Sequence, residues 1–205
     1  MVELFHKGGP MMWPILVLFV FGLIVVLERL YTLTKATVVT KSFIPKMNKA
    51  LKEDGVDSAL EICENTPGPI AEIFHAGLSR YKYGINAVEK AIENAGTVEM
   101  AFLERGMIWL STVIVLAPML GFAGTVAGMV NAFRDIEEAN NISPSVVAGG
   151  ISEALLTTLF GLIVGMFIQF FYNLFTSRVD NIVVNMEESS INLIDSISYE
   201  HGKNQ

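Results

Sequence analysis

Between residues 139 and 177 the chain carries a single acidic or basic side chain, Glu153. A charge held in hydrocarbon costs about 2.5 kcal/mol at the least. A run this apolar therefore folds as a membrane helix that turns its one carboxylate toward a water-filled or protein-lined interior. On that helix Gly149, Glu153, Thr157, Gly161 and Gly165 recur at every fourth position, a stripe that is small or polar throughout. Leu155, Leu159, Leu162 and Phe170 occupy the opposite side. The helix thus offers apolar side chains to lipid and a narrow polar seam to a neighbour.

Two further apolar blocks supply that neighbour and an anchor. Residues 11–27 form the first, with Trp13 near one end and Tyr31 just beyond the other. It ends in Glu28-Arg29, with no small-residue cleavage site after it, so it reads as a retained anchor rather than a signal peptide. Residues 106–133 form the second, uncharged and bracketed by Arg105 and Arg134. The chain is 52% hydrophobic and 17% charged, against about 25% charge in an ordinary soluble domain. With the apolar excess confined to three blocks, the fold class is an all-α integral membrane protein with three transmembrane helices and long cytoplasmic helical extensions.

Orientation follows from the lysines. Lys35, Lys41, Lys46, Lys49 and Lys52 cluster just after the first block, which marks that side as cytoplasmic. The expected organisation is an outside lead (1–10), a first span (11–33), a cytoplasmic helical domain (34–105), a second span (106–133), an outside loop (134–143), a third span (144–176), and a cytoplasmic helix and tail (177–205). Ser143-Pro144 has the form of an N-cap followed by Pro at the first helical position. Within 34–105, Phe43, Ile44, Met47 and Leu51, and again Ile70, Phe74, Leu78 and Tyr81, have helical spacing. Gly55, the Asn65–Pro69 stretch and Gly84 punctuate the helices. In the tail, Val179, Ile182, Val183, Met186, Ile191, Leu193 and Ile194 are the apolar positions.

The net charge of −7 leaves no basic stripe for nucleic acid. One cysteine, Cys63, excludes an intrachain disulfide and a Cys-based metal cluster, and it reads as a small apolar residue on a buried face. His75 stands alone on an amphipathic helix, which suits a surface or core role. No Ser/Lys, Asp/Asp or His-Glu-x-x-His grouping lies within the spans, so no enzyme and no cofactor are expected.

The second span is unusual in its middle. Ala117-xxx-Gly121 and Gly124-xxx-Gly128 allow another helix backbone to approach closely, and Pro118 removes a backbone donor and should bend the helix. Counted from the loop between the spans, Thr125 lies nine residues from Arg134, and Glu153 nine from Pro144. The two should share a depth, with Thr158 roughly 7 Å further in. The second and third spans thus offer one polar layer of Thr125, Glu153 and the Thr157/Thr158 pair.

These residues fall in two motifs, Ala117-Pro118-x-Leu120-Gly121-x-x-Gly124-Thr125-Val126-x-Gly128-Met129 and Gly150-Ile151-Ser152-Glu153-Ala154-Leu155-x-x-Thr158-x-x-Gly161-Leu162. In them the chain resembles the bacterial MotA/TolQ/ExbB proton-channel family, in its three-span ExbB/TolQ branch. Phe122 departs from the Leu common in the family. The four spans and longer cytoplasmic part of MotA itself fit less well.

The resemblance implies an oligomeric helical channel, a pentamer whose second and third helices line a pore. It implies as partners a dimer of a single-span ExbD- or TolR-like protein carrying a membrane aspartate, and a TonB- or TolA-like transducer. It implies the bacterial inner membrane, with the N-terminus periplasmic and the C-terminus cytoplasmic. Carried over, Thr125 and Thr158 become pore-facing hydroxyls and Glu153 the membrane carboxylate near the path. Thr157 precedes Thr158, and either hydroxyl can serve the lumen. The implied role is energising outer-membrane import in the ExbB manner. The alternatives are a TolQ-like part in envelope maintenance and a non-conducting scaffold for the single-span partner.

Overall fold

In the computed structural model, residues 2–53, 55–139 and 144–203 are described, and they are almost entirely helical. The elements are α1 (Val2–Lys7), α2 (Met12–Glu53), α3 (Val56–Glu64), α4 (Pro69–Leu78), a single 3-10 turn (Tyr81–Tyr83), α5 (Ile85–Glu104), α6 (Met107–Ala139) and α7 (Pro144–Lys203). The expected cap Ser143 lies outside the described residues, and Pro144 opens α7. Three of the helices, α2, α6 and α7, are long and apolar enough to cross a membrane. Their exposed large apolar side chains include Val17, Phe122, Val126, Leu155, Leu159 and Phe170, which suits lipid rather than water. The protein is an all-α membrane protein.

The chain divides into two compact units. One comprises Met1–Glu28 with Gly106–Leu174, the other Arg29–Arg105 with Phe175–Gln205. The first is held together by a ladder of small residues between α6 and α7. Ala132 faces Gly150, Gly128 faces Ala154, Gly124 faces Thr157, and Gly121 and Ala117 face Gly161. From Ala132 to Gly121, steps of three or four along α6 meet steps of three or four, run backwards, along α7. Lipid tails are as apolar as leucine, so burial gives these helices little reason to associate; close van der Waals contact does. Pro118 lies within α6, and the helix continues through it. Gly165 makes room for the Pro118 ring, and a β-carbon there would lie 3.0 Å from the ring and 3.4 Å from the Ile114 carbonyl. That carbonyl is the one a proline deprives of its helical partner.

The second unit is built on two buried seams. On α2 the buried residues include Leu33, Ala36, Thr40, Phe43, Met47 and Ala50, and on α7 they include Phe175, Val179, Ile182, Met186, Ser189, Leu193 and Ile197. Both follow the alternating three-and-four spacing of a helix buried along one stripe. Phe43 meets Phe74 of α4 edge to face at 5.5 Å, and Gly77 lets α4 close on Ile92 of α5. Arg178 of α7 donates to Thr34 Oγ1 on α2 at 3.0 Å.

The expected tail positions Val179, Ile182, Met186 and Leu193 are buried, but Ile191 is 59% exposed. The stripe passes through Ser189 and Ser190 instead, because steps of three and four from Met186 reach them and miss Ile191. The three punctuation points expected between the helices all fall at helix ends, with Gly55, Gly68 and Gly84 at positive φ. Cys63 is buried on α3, and burial first, then the nearby Glu72 and Glu64 carboxylates, push its thiol up to about 12. It is an inert packing residue at neutral pH. His75 lies 3.7 Å from Glu64 near the surface.

Arg29 was expected only as the polar end of the first apolar block. It is 7% exposed, and its Nη1 donates to the Leu103 carbonyl at 3.3 Å. A guanidinium at the last turn of α5 satisfies an orphan carbonyl and opposes the negative end of the helix dipole.

Candidate functional site

The α6–α7 ladder sets two threonines side by side. The hydroxyls of Thr125 and Thr158 are hydrogen-bonded to each other. Thr125 Oγ1 also lies 3.1 Å from the Ala154 carbonyl and 3.3 Å from the Gly121 carbonyl. Thr158 Oγ1 lies 3.1 Å from the Gly121 carbonyl. Gly121 and Gly124 make this possible, since a β-carbon on Gly121 would stand 2.9 Å from the Thr157 carbonyl, and one on Gly124 would stand 2.6 Å from the Thr157 side chain.

Counting residues placed Thr158 about 7 Å deeper than Thr125, yet the two hydroxyls meet. The register of the ladder explains this: Gly128 faces Ala154 and Gly124 faces Thr157, so Thr125 is level with the Thr157/Thr158 pair rather than with Glu153. Helix α6 runs on to Ala139, so a count that starts at Arg134 sets Thr125 too near the loop.

Thr157 and Thr158 part company. Thr157 is 1% exposed, faces Gly124, and donates to the Ala154 carbonyl of its own helix at 2.7 Å. Thr158 is half-buried and is the partner of Thr125. The every-fourth stripe therefore does not act as one face. Each step of four overshoots a helical turn by about 40°. Thr157, Gly161 and Gly165 face α6, Gly149 meets open space, and Glu153 is turned elsewhere.

Glu153 points to the start of α2. A β-carbon on Gly9, which precedes that helix, would overlap its carboxylate. Further along, Gly22 packs against Ile168 and Val113, and Phe19 lies edge-on to Phe167 at 5.7 Å. Helices α2 and α7 thus run side by side in the same direction, with Gly9 level with Glu153. The carboxylate stands at the end of the bundle where α2 begins, beside the first apolar block rather than midway along it. That placement lowers the cost of a charge. Gly9 was read in the sequence only as part of a polar lead. The paired glycines before Pro10 were the available signal, but spacing alone does not say what they approach.

The family whose sequence profile matches residues 65–188 is described as the MotA/TolQ/ExbB proton channel family. The chain belongs to this family. It is similar to an ExbB homolog from Methanothermobacter thermautotrophicus, with 33% identity over 91% of this chain and 66% of that one. It is also similar to an ExbB-like biopolymer transport protein from Synechocystis, with 30% identity over 82% of this chain and 67% of that one. A Tol-Pal system protein TolQ from Pseudomonas aeruginosa matches at 30% over 56% of the chain and 54% of its own length. The chain thus spans about two thirds of the first relative and about half of the last.

For a proton-channel family member, the hydroxyl pair has a useful property. A threonine hydroxyl has one proton to donate and two lone pairs to accept with. In one arrangement Thr158 donates to Thr125, and Thr125 donates to the Ala154 carbonyl. In the other, Thr125 donates to Thr158, and Thr158 donates to the Gly121 carbonyl. Both use only contacts already made, so the direction of the pair can reverse without moving a heavy atom.

Proposed function

We propose that this chain is the channel subunit of a proton-driven motor of the ExbB type, working as a homo-oligomer, a pentamer on the family resemblance. Thr125 and Thr158 line the proton path, and Glu153 is the carboxylate at its outer mouth. The reversible hydroxyl pair is the observation that carries this reading. A hydroxyl chain can pass or solvate a proton in a low-dielectric channel, whereas an isolated carboxylate tends to hold it. The layer needs a second titratable group to complete the path. An ExbD- or TolR-like single-span partner with a membrane aspartate supplies it, and a TonB- or TolA-like transducer takes up the motion. Thr157 serves the packing of α6 on α7, together with Gly121, Gly124, Gly128, Gly161, Gly165 and Pro118.

The relatives named for biopolymer transport favour the role in outer-membrane import, and the TolQ relative keeps an envelope-maintenance role as the second reading. One observation favours a third, a non-conducting scaffold: both hydroxyls also reach backbone carbonyls, as a packing staple would. Proton uptake by liposomes under an imposed potential decides between channel and scaffold. The chain reconstituted with such a single-span partner is expected to conduct, and the same complex with the partner's aspartate changed to asparagine is not. Equal flux in the two, or none in either, would overturn the channel.

Location in the inner membrane with the N-terminus outside rests on the lysines after α2's apolar block. In a Cys63→Ala background, an impermeant thiol reagent applied from outside should modify Glu138→Cys and spare Lys49→Cys. The reverse pattern would sink the orientation.

A further inference from the structure

The lead before α2 is shaped around Glu153. Gly9 has φ +68°, a left-handed conformation that favours glycine, and it approaches the carboxylate so closely that any β-carbon would overlap it. Gly8 is buried beneath Met12, and its β-carbon would fall 2.5 Å from the Met12 side chain. The turn's own backbone groups are engaged. Gly9 N–H points to the His6 carbonyl at 3.4 Å, and the Gly9 carbonyl accepts from Met12 N–H at 3.2 Å. What meets the carboxylate is therefore the bare Cα of Gly9. The lead is held down by Phe5, edge-on to Trp13 at 5.4 Å. Beneath Phe5 is an apolar cavity of about 460 Å³ that also touches Met12, Ile15, Phe160, Ile163 and Val164.

We infer that Gly9 is a positioning residue for Glu153: the Gly8-Gly9 turn walls the carboxylate on the α2 side and limits its exchange with outside water. The inference rests on the reading of Glu153 as the outer carboxylate of the path. Because the overlap is with the far end of a flexible side chain, Gly9→Ala should fold, at the cost of a strained φ, and displace the carboxylate. The displaced group then meets outside water.

The test is amidation of Glu153 in reconstituted full-length complex, using a water-soluble carbodiimide and glycine methyl ester applied from outside, read by peptide mass spectrometry. Glu138, exposed on α6, is the internal reference. In the wild type Glu153 should react much more slowly than Glu138, and Gly9→Ala should raise its rate severalfold. Glu153→Asp shortens the acid by one methylene and makes room for the new β-carbon, so in Gly9→Ala/Glu153→Asp the reaction should slow again. Equal wild-type rates at Glu153 and Glu138, or no change in Gly9→Ala, would overturn the wall. A double variant as fast as the single one would assign the effect to strain in the turn and overturn the contact. Proton flux should rise severalfold in Gly9→Ala, and unchanged flux beside faster labelling would overturn the control of exchange. Labelling needs no conduction, so a failure of the channel reading leaves this part legible.

Discussion

Thr125→Val and Thr158→Val should each cut proton flux through the reconstituted complex by at least about tenfold, a modest loss for a positioned proton-transfer group. Valine keeps the branched shape and removes only the hydroxyl. The carbonyls of Gly121 and Ala154 that the hydroxyls reach belong to helical turns, so losing the side-chain donor does not orphan them. The structural cost is then that of one hydrogen bond between membrane helices, about 0.6 kcal/mol on average. Assembly and melting should therefore stay close to wild type while conduction falls. A second comparison sharpens the result. Thr157→Val removes a hydroxyl that bonds only to the Ala154 carbonyl of its own helix and sits sealed against Gly124. It should leave flux near wild type. If all three variants conduct normally, the threonines are packing residues and the scaffold reading stands. If Thr157→Val is the damaging one, the path has been assigned to the wrong member of the pair.

The contrast between those neighbours marks how far the sequence could be read. The helical class, the three spans and the helix ends at Gly55, Gly68 and Gly84 follow from apolar run length and backbone chemistry, which are local properties. That Thr125 belongs with the Thr157/Thr158 pair was legible, but the register was not: counting from Arg134 set Thr125 at the depth of Glu153, because α6 runs on to Ala139. Nor was the choice between Thr157 and Thr158. Adjacent positions on a helix differ by about 100°, and only the close approach of α6 at Gly124 fixes which of them is buried. The every-fourth stripe misled for a related reason, since its drift carries Gly149 and Glu153 off the face that Gly161 holds. Contacts made over long sequence separations were invisible. Arg29 on the Leu103 carbonyl and Gly9 on Glu153 both needed the fold.

Gly161→Ala should be among the most damaging single methyls in the helix pair, and Gly149→Ala among the least. A β-carbon on Gly161 would stand 2.6 Å from the Ala117 carbonyl and 3.0 Å from Gly121 Cα, so both obstacles are backbone. Neither can rotate away, and the helices must separate along the whole ladder. Overpacking of this kind typically costs about 1–3 kcal/mol, and for a chain of this size each kcal/mol moves the melting temperature by roughly 2–4 °C. Gly121→Ala, 2.9 Å from the Thr157 carbonyl, should fall close behind. Gly165→Ala meets the Pro118 ring at 3.0 Å and should cost less. Nothing lies within 4 Å of the corresponding point on Gly149, where alanine should gain up to about 1 kcal/mol from helix propensity. Leucine at Gly161 should prevent the pair from closing and abolish the oligomer, whose subunit count native mass measurement can read. Thermal melting of the alanine series in detergent tests the order. If Gly161→Ala and Gly149→Ala melt together, close backbone contact does not hold α6 to α7, and the threonine pair loses the geometry on which the proton path depends.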